Sequence, residues 1–205
     1  MQFIAYAAKM QKHIADGTDL EVEARFVDMI ARRDFTLLDI GCGHGSAVNS
    51  LRGRGHAAFG IDPTRVILDV ALANFNSEWF RELGVQNLSQ DKLAEMGVPH
   101  SYDIILMTGN VPAFLPNESL LHAFAQVRAL LEPGGLFVVG TSSMVRGVPV
   151  DQGTAAEIAG LTLMHRFSDW HLGHYCADSS WSVSVFAAPG EPTRFEAPDG
   201  IFVLH

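Results

Sequence analysis

Chemistry concentrates in Leu37-Leu38-Asp39-Ile40-Gly41-Cys42-Gly43-His44-Gly45-Ser46 and again in Gly60-Ile61-Asp62-Pro63. An apolar run that ends in three glycines reads as a buried strand followed by a tight turn. Glycine lets main chain approach a ligand where a β-carbon would collide. A helix opening after that turn aims its free N–H groups and positive dipole end at the same ligand. An acid roughly 20 residues on, ending the next strand, is the usual partner of two ribose hydroxyls. The spacing predicts a site for a nucleoside-containing cofactor.

The glycine spacing narrows the choice. A dinucleotide fingerprint needs glycine where this chain has Ser46, and a P-loop needs a Gly-Lys-Ser/Thr that does not follow. The pattern D-x-G-C-G-x-G from Asp39 to Gly45, with Gly60-Ile61-Asp62-Pro63, resembles motifs I and II of class I S-adenosylmethionine-dependent methyltransferases. Leu131-x-Pro133-Gly134-Gly135 matches that family's turn before strand five. Thr108-Gly109-Asn110 resembles the T-G-N end of strand four in small stand-alone enzymes of actinobacterial type. The resemblance covers nearly all of residues 30–188.

The resemblance implies S-adenosyl-L-methionine as cofactor and assigns roles to particular residues. Asp39, Gly41, Cys42, Gly43 and Gly45 would surround its methionine end. Asp62 would accept from the ribose diol, with Ile61 and Pro63 flanking the adenine. Gln90 and Asp91 stand where the family keeps an acid for the adenine amino group, and Thr108, Gly109 and Asn110 would line the same cleft. Read as residues alone, Asp62 also has the alternative of a cap before Thr64, Asp91 that of a polar loop, and Asn110 that of a turn asparagine. The reaction implied is an in-line displacement at an activated methyl group, which requires no metal.

Bulk properties bound the rest. The 205 residues suit one domain of 1–205, with N-terminal helices over 1–32 as a flap or an edge layer, a core over 33–188 and a tail over 189–205. A hydrophobic share of 48%, with no membrane-length apolar run and no signal-peptide pattern at the N-terminus, leads to the expectation of a cytoplasmic protein. Cys42 and Cys176 are the only cysteines, which fits a reducing compartment. A net charge of −9 argues against a nucleic-acid surface, and Arg52-Gly53-Arg54-Gly55-His56 reads as a solvated helix end.

Alternating strand and helix patterns predict a Rossmann-like, doubly wound α/β sheet with helices on both faces. Helical periodicity covers 1–17, with Phe3, Ile4, Ala7, Met10 and Ile14 on one side and Tyr6 and Met10 facing substrate. A capping box from Thr18 to Glu21 would start a second helix whose buried stripe is Val22, Phe26, Met29 and Ile30. Strands are expected at 35–40, 57–61, 85–88, 102–107 and 136–140. A helix held by Leu120, Leu121, Phe124, Val127 and Leu131 precedes the last of these. Residues 161–167 and 181–188 would close the sheet as an antiparallel hairpin, which resembles strands six and seven of the seven-stranded, mostly parallel methyltransferase sheet.

No residue stands out as a general base. His44 lies in the cofactor loop and is expected to face solvent. His171 and His174, with Trp170 and Tyr175, would form an aromatic wall on the substrate side, and His100 and His122 read as surface groups. No metal site is expected. Acceptor recognition falls to residues 1–16, the 110–116 loop with Phe114, and the 142–152 and 170–180 loops, whose apolar content suits a small organic molecule. The expectation is O- or N-methylation of such an acceptor by a monomer or homodimer. Rivals are methylation of a protein or RNA with a partner, and a non-catalytic nucleoside-binding scaffold. Ile201–Leu204 would add an edge strand, cross a dimer interface or belong to a disordered tail.

Overall fold

The computed structural model describes residues 2–144 and 146–190. The expectations for 191–205, including the apolar run at Ile201–Leu204, lie outside the described residues. Strands β1 (Thr36–Ile40), β2 (Ala57–Asp62), β3 (Phe80–Glu82), β4 (Tyr102–Met107), β5 (Leu131–Ser142), β6 (Thr162–Phe167) and β7 (Trp181–Ala187) form one seven-stranded sheet. Its order is β3-β2-β1-β4-β5-β7-β6. Neighbours from β3 to β5 are parallel, and β7 runs antiparallel to both β5 and β6. The fold is the Rossmann-like sheet with its antiparallel C-terminal hairpin. Strand order reverses between β1 and β4, which puts the ligand crevice of such a sheet at their carboxyl ends.

Helices α1 (Gln2–Ala15), α2 (Val22–Ile30), α3 (Ser46–Gly53), α4 (Arg65–Asn74), α5 (Gln90–Glu95), α6 (Val111–Phe114), α7 (Asn117–Leu130) and α8 (Pro149–Ala159) complete the chain. The parallel strands are buried on both sides, so alternate residues enter different cores. Leu38 and Ile40 pack with the apolar faces of α5, α7 and α8, whereas Leu37 packs with those of α2, α3 and α4. Among the described residues no helix is long and apolar enough to cross a membrane. Both cysteines are free.

Several expected elements differ. The third strand is Phe80–Glu82, and Val85–Asn87 is a single 3-10 turn: pairing with Gly60–Asp62 of β2 decides this, not the later apolar pair. The capping box does not form. Thr18 instead bonds the His13 ring, and Asp19 accepts the Glu21 N–H at 3.0 Å. On α2 the inner residues are Ala24, Phe26 and Val27, and Met29 is exposed. On α1 the buried pair is Ala7 and Met10, so Met10 packs inward instead of facing substrate, while Phe3 and Ile4 are exposed. Leu121 is exposed on α7, and Leu131 belongs to β5. Thr64 makes no side-chain cap. The expected 142–152 loop gives way to α8 from Pro149, and the 110–116 loop contains α6.

The basic segment after α3 is solvated over 53–55, as expected, but not at His56. His56 is 2% exposed, stacks on Phe35 with centroids 3.8 Å apart, and bonds Asp28 at 2.7 Å. Arg54 pairs with Glu21 and Asp28, and Arg52 lies over the rings of Phe59 and Trp79.

Candidate active site

The turn after β1 is built into the sheet before any ligand is considered. Gly41 and Cys42 both donate to the Ile61 carbonyl, at 2.8 and 3.1 Å. Asp62 ends β2 and spans the gap: Oδ2 accepts from Gly43 N–H at 3.0 Å and Oδ1 from Thr64 N–H at 2.7 Å. It is therefore both the cap before α4 and the strut of the glycine turn. Each oxygen keeps a further lone pair for a ligand. Burial raises its pKa above the usual carboxylate value, and the two backbone N–H groups oppose that shift.

The glycines divide by purpose. A β-carbon on Gly45, whose φ is +78°, would come within 2.7 Å of both Ala71 and Phe80, so this glycine serves the packing of α4 and β3. One on Gly41 would overlap Val111 of α6. A β-carbon on Gly43, whose φ is +54°, would make only ordinary contacts, with Ile67 at 3.7 Å and the Gly41 carbonyl at 4.0 Å. Cys42 seats on Gly60, where a β-carbon would come within 2.7 Å of its sulfur. It belongs to the core layer under α3 and α4, and burial pushes its thiol well above the usual range.

Asp39 is 2% exposed and its Oδ1 has no hydrogen-bond partner. Burial pushes its carboxyl well above the usual range, and the charges of Glu23 and Asp62 add to the shift. An orphaned buried carboxylate oxygen is costly unless something donates to it. Glu23 belongs to none of the motifs read from the sequence. Its signal was present: a charged residue three and four positions before Phe26 and Val27, on an otherwise apolar stripe. Tyr6 of α1 is drawn into the same group. Its phenol is raised by burial, then by Glu23 and Asp62. Helix α1 lies along α4, held by paired bonds between Gln11 and Asn74.

Other expected residues fall differently. His44 is half-buried, not solvent-facing, and its Nδ1 lies 2.8 Å from Ser46 Oγ; burial lowers its basicity. Ile61 is core, so it cannot wall the adenine. Pro63 and Asp91 border an open cavity of about 690 Å³ with Leu83, Gly84 and Gln86. Gln90 points elsewhere, donating to the Ala129 carbonyl at 2.9 Å. Asn110 takes a left-handed φ of +67°, and its Oδ1 is occupied by Ser142 N–H and Thr141 Oγ, at 2.8 and 3.2 Å. It is a turn asparagine that ties the ends of β4 and β5 together, leaving only its amide nitrogen for the cleft. Thr108 is largely buried and its carbonyl accepts from Val111, while Gly109 turns with φ +63°.

The loop from 168 to 180 leaves the sheet at the same edge, because β6 runs parallel to β5. Asp169 organises it by accepting from His171 and Gly173 N–H at 2.7 and 3.2 Å. Trp170 does not stand in a wall with the histidines. It tucks over Gly140 and meets Phe26 with centroids 5.4 Å apart, whereas His171 and His174 are exposed. Among the described residues no three metal-ligating side chains cluster.

Residues 37–135 match the family described as a methyltransferase domain. A TehB-like S-adenosylmethionine-dependent methyltransferase from Corynebacterium glutamicum superposes with a TM-score of 0.81 at 28% identity, over 91% of this chain and 98% of that one. The chain carries a methyltransferase domain on the fold of class I S-adenosylmethionine-dependent enzymes. The CcbJ methyltransferase of Streptomyces caelestis shares the fold with a TM-score of 0.70 at 20% identity, over 82% and 89% of the two chains. So does a Haloferax volcanii methyltransferase solved with the Trm112 activator, with a TM-score of 0.64 at 19% identity, over 91% and 97%. No curated protein shows significant similarity to the chain. The residues at the crevice fit S-adenosylmethionine: a buried acid with an unpaired oxygen and a two-oxygen strut with spare lone pairs stand near the carboxyl ends of β1 and β2.

Proposed function

We propose that this methyltransferase modifies an oxygen or nitrogen of a small, largely apolar organic acceptor. The observation that carries the reading is the set of exposed apolar side chains on the segments around the carboxyl edge of the sheet. These are Phe114 on α6 at 65% exposure, Met144 after β5 at 77% and Leu172 in the 168–180 loop at 46%. Large apolar groups left in water at one edge mark a ligand surface. The chain's charge of −9 disfavours a nucleic-acid acceptor. The T-G-N turn, formed by two left-handed residues, supports a place among small stand-alone enzymes.

When bound, the cofactor supplies a methyl group on a sulfonium whose leaving group is a neutral thioether. The chain's part is to bind and orient. Asp62 would take the ribose diol on its spare lone pairs, Asp39 would receive a donor from the methionine end, and Pro63 and Asp91 would border the adenine. Positioning alone can supply on the order of 7–11 kcal/mol of rate enhancement in favourable cases. His171 and His174 are the candidate bases for an acceptor that must lose a proton.

The test is calorimetric titration with S-adenosylmethionine, S-adenosylhomocysteine and NAD, followed by transfer of labelled methyl to panels of phenols and amines. Labelled small acceptors support the reading. Label entering only protein or RNA overturns it in favour of the second reading, a macromolecular acceptor recognised with a partner. That alternative draws on the Haloferax volcanii neighbour, which was solved with an activator.

A further inference from the structure

The acids around the glycine turn each have a task except Glu23. Phe26 and Val27, one turn further along α2, are buried against the sheet, so Glu23 lies on the helix's inner stripe and is itself half-buried. Phe26 meets Trp170, which covers Gly140 near the carboxyl end of β5. The turn that carries Glu23 therefore stands over the crevice edge. Asp39 follows Leu37 by two residues, and both project to the face that α2 covers. There the Asp39 Oδ1 is buried with no donor.

We propose that Glu23 and Asp39 together hold the α-ammonium group at the amino-acid end of the cofactor. The assignment rests on the cofactor reading above and adds a residue that no glycine-loop motif contains. An ammonium carries three donors and a full positive charge. Asp39 has an oxygen with nothing to accept, and Glu23 adds a second carboxylate on the helix that covers that face, close enough for its charge to act on Asp39. Burial raises the pKa of both, and the charges of Glu23 and Asp62 raise that of Asp39 further, so an incoming cation offsets a repulsion already present. Helix α2 thereby becomes a wall of the cofactor site and not merely a layer on the sheet.

The experiment compares two ligands on the wild-type protein and Glu23→Gln by calorimetry. S-Adenosylhomocysteine carries the ammonium group; 5′-methylthioadenosine keeps the adenosine and thioether but lacks it. Replacing one charged acceptor by a neutral one should weaken S-adenosylhomocysteine about tenfold, with 5′-methylthioadenosine unchanged. Unchanged affinity for both ligands, or an equal loss for both, overturns the assignment. A wild-type protein that binds neither overturns the cofactor reading and this assignment with it. If Glu23→Gln does not fold, Glu23→Asp keeps the charge but shortens its reach, and the same selective loss is expected.

Discussion

The carboxyl edge of the sheet holds two regions built on opposite principles. Around β1 and β2 the polar groups are engaged with one another: Asp62 joins Gly43 to Thr64, the Ile61 carbonyl takes two turn N–H groups, and Gly45 is closed in by Ala71 and Phe80. A buried oxygen on Asp39 is left over. Around β5, β6 and β7 the edge carries exposed Phe114, Met144, Leu172, His171 and His174 on loops and a short helix. A site organised in advance loses little entropy when its ligand arrives. The first region suits one fixed ligand, and the second can be reshaped without disturbing the first.

Substitutions should break that contrast in a graded way. Gly45→Ala places a β-carbon against Ala71 and Phe80 at a left-handed φ. Overpacking and backbone strain together should cost on the order of 3 kcal/mol or more, read as a lower urea midpoint with or without cofactor. Asp62→Ala removes the strut and the ribose acceptor together, and cofactor affinity should fall about a hundredfold in calorimetry. Retained affinity would show that the turn organises itself without the strut.

Asp39 sharpens the comparison through pH. Its folded value is raised above the unfolded value of about 3.9, so the folded state holds the proton more tightly. Its contribution to stability is complete below the unfolded value and is lost as pH rises through the folded one. The ligand-free protein should therefore melt at lower temperature as pH rises out of the acid range. The slope from this group is at most about 1.4 kcal/mol per pH unit, and Asp39→Asn should remove it. Equal slopes in the two proteins would show that Asp39 is not the group responsible. The smallest effect is expected on the other side. His174→Ala should change unfolding free energy by no more than about 0.5 kcal/mol and leave cofactor affinity intact, while lowering turnover of an acceptor that needs a base.

Legibility followed the range of the interactions. The glycine turn, the acid at the end of β2 and β4 at Tyr102–Met107 were readable because local pattern specifies them: an apolar run, a turn and a carboxylate at fixed spacing. Strand β3 was misplaced because Phe80–Glu82 has little strand character of its own and exists by pairing with β2. The Thr18 capping box lost to the competing bonds of His13 and Asp19. Gln90 looked like a cleft residue until the end of α7 proved to be its partner.

The sequence by itself determined the fold class, the methyltransferase motif and the acid that braces its turn. These depend on hydrophobic period, glycine geometry and spacing along a few residues. Only the tertiary structure decided which glycines are closed in by packing, that the Asn110 oxygen is already occupied, and that α2 packs on the face of β1 that carries Leu37. Those facts arise where segments far apart in the chain are pressed together, and no local pattern carries the geometry of that encounter.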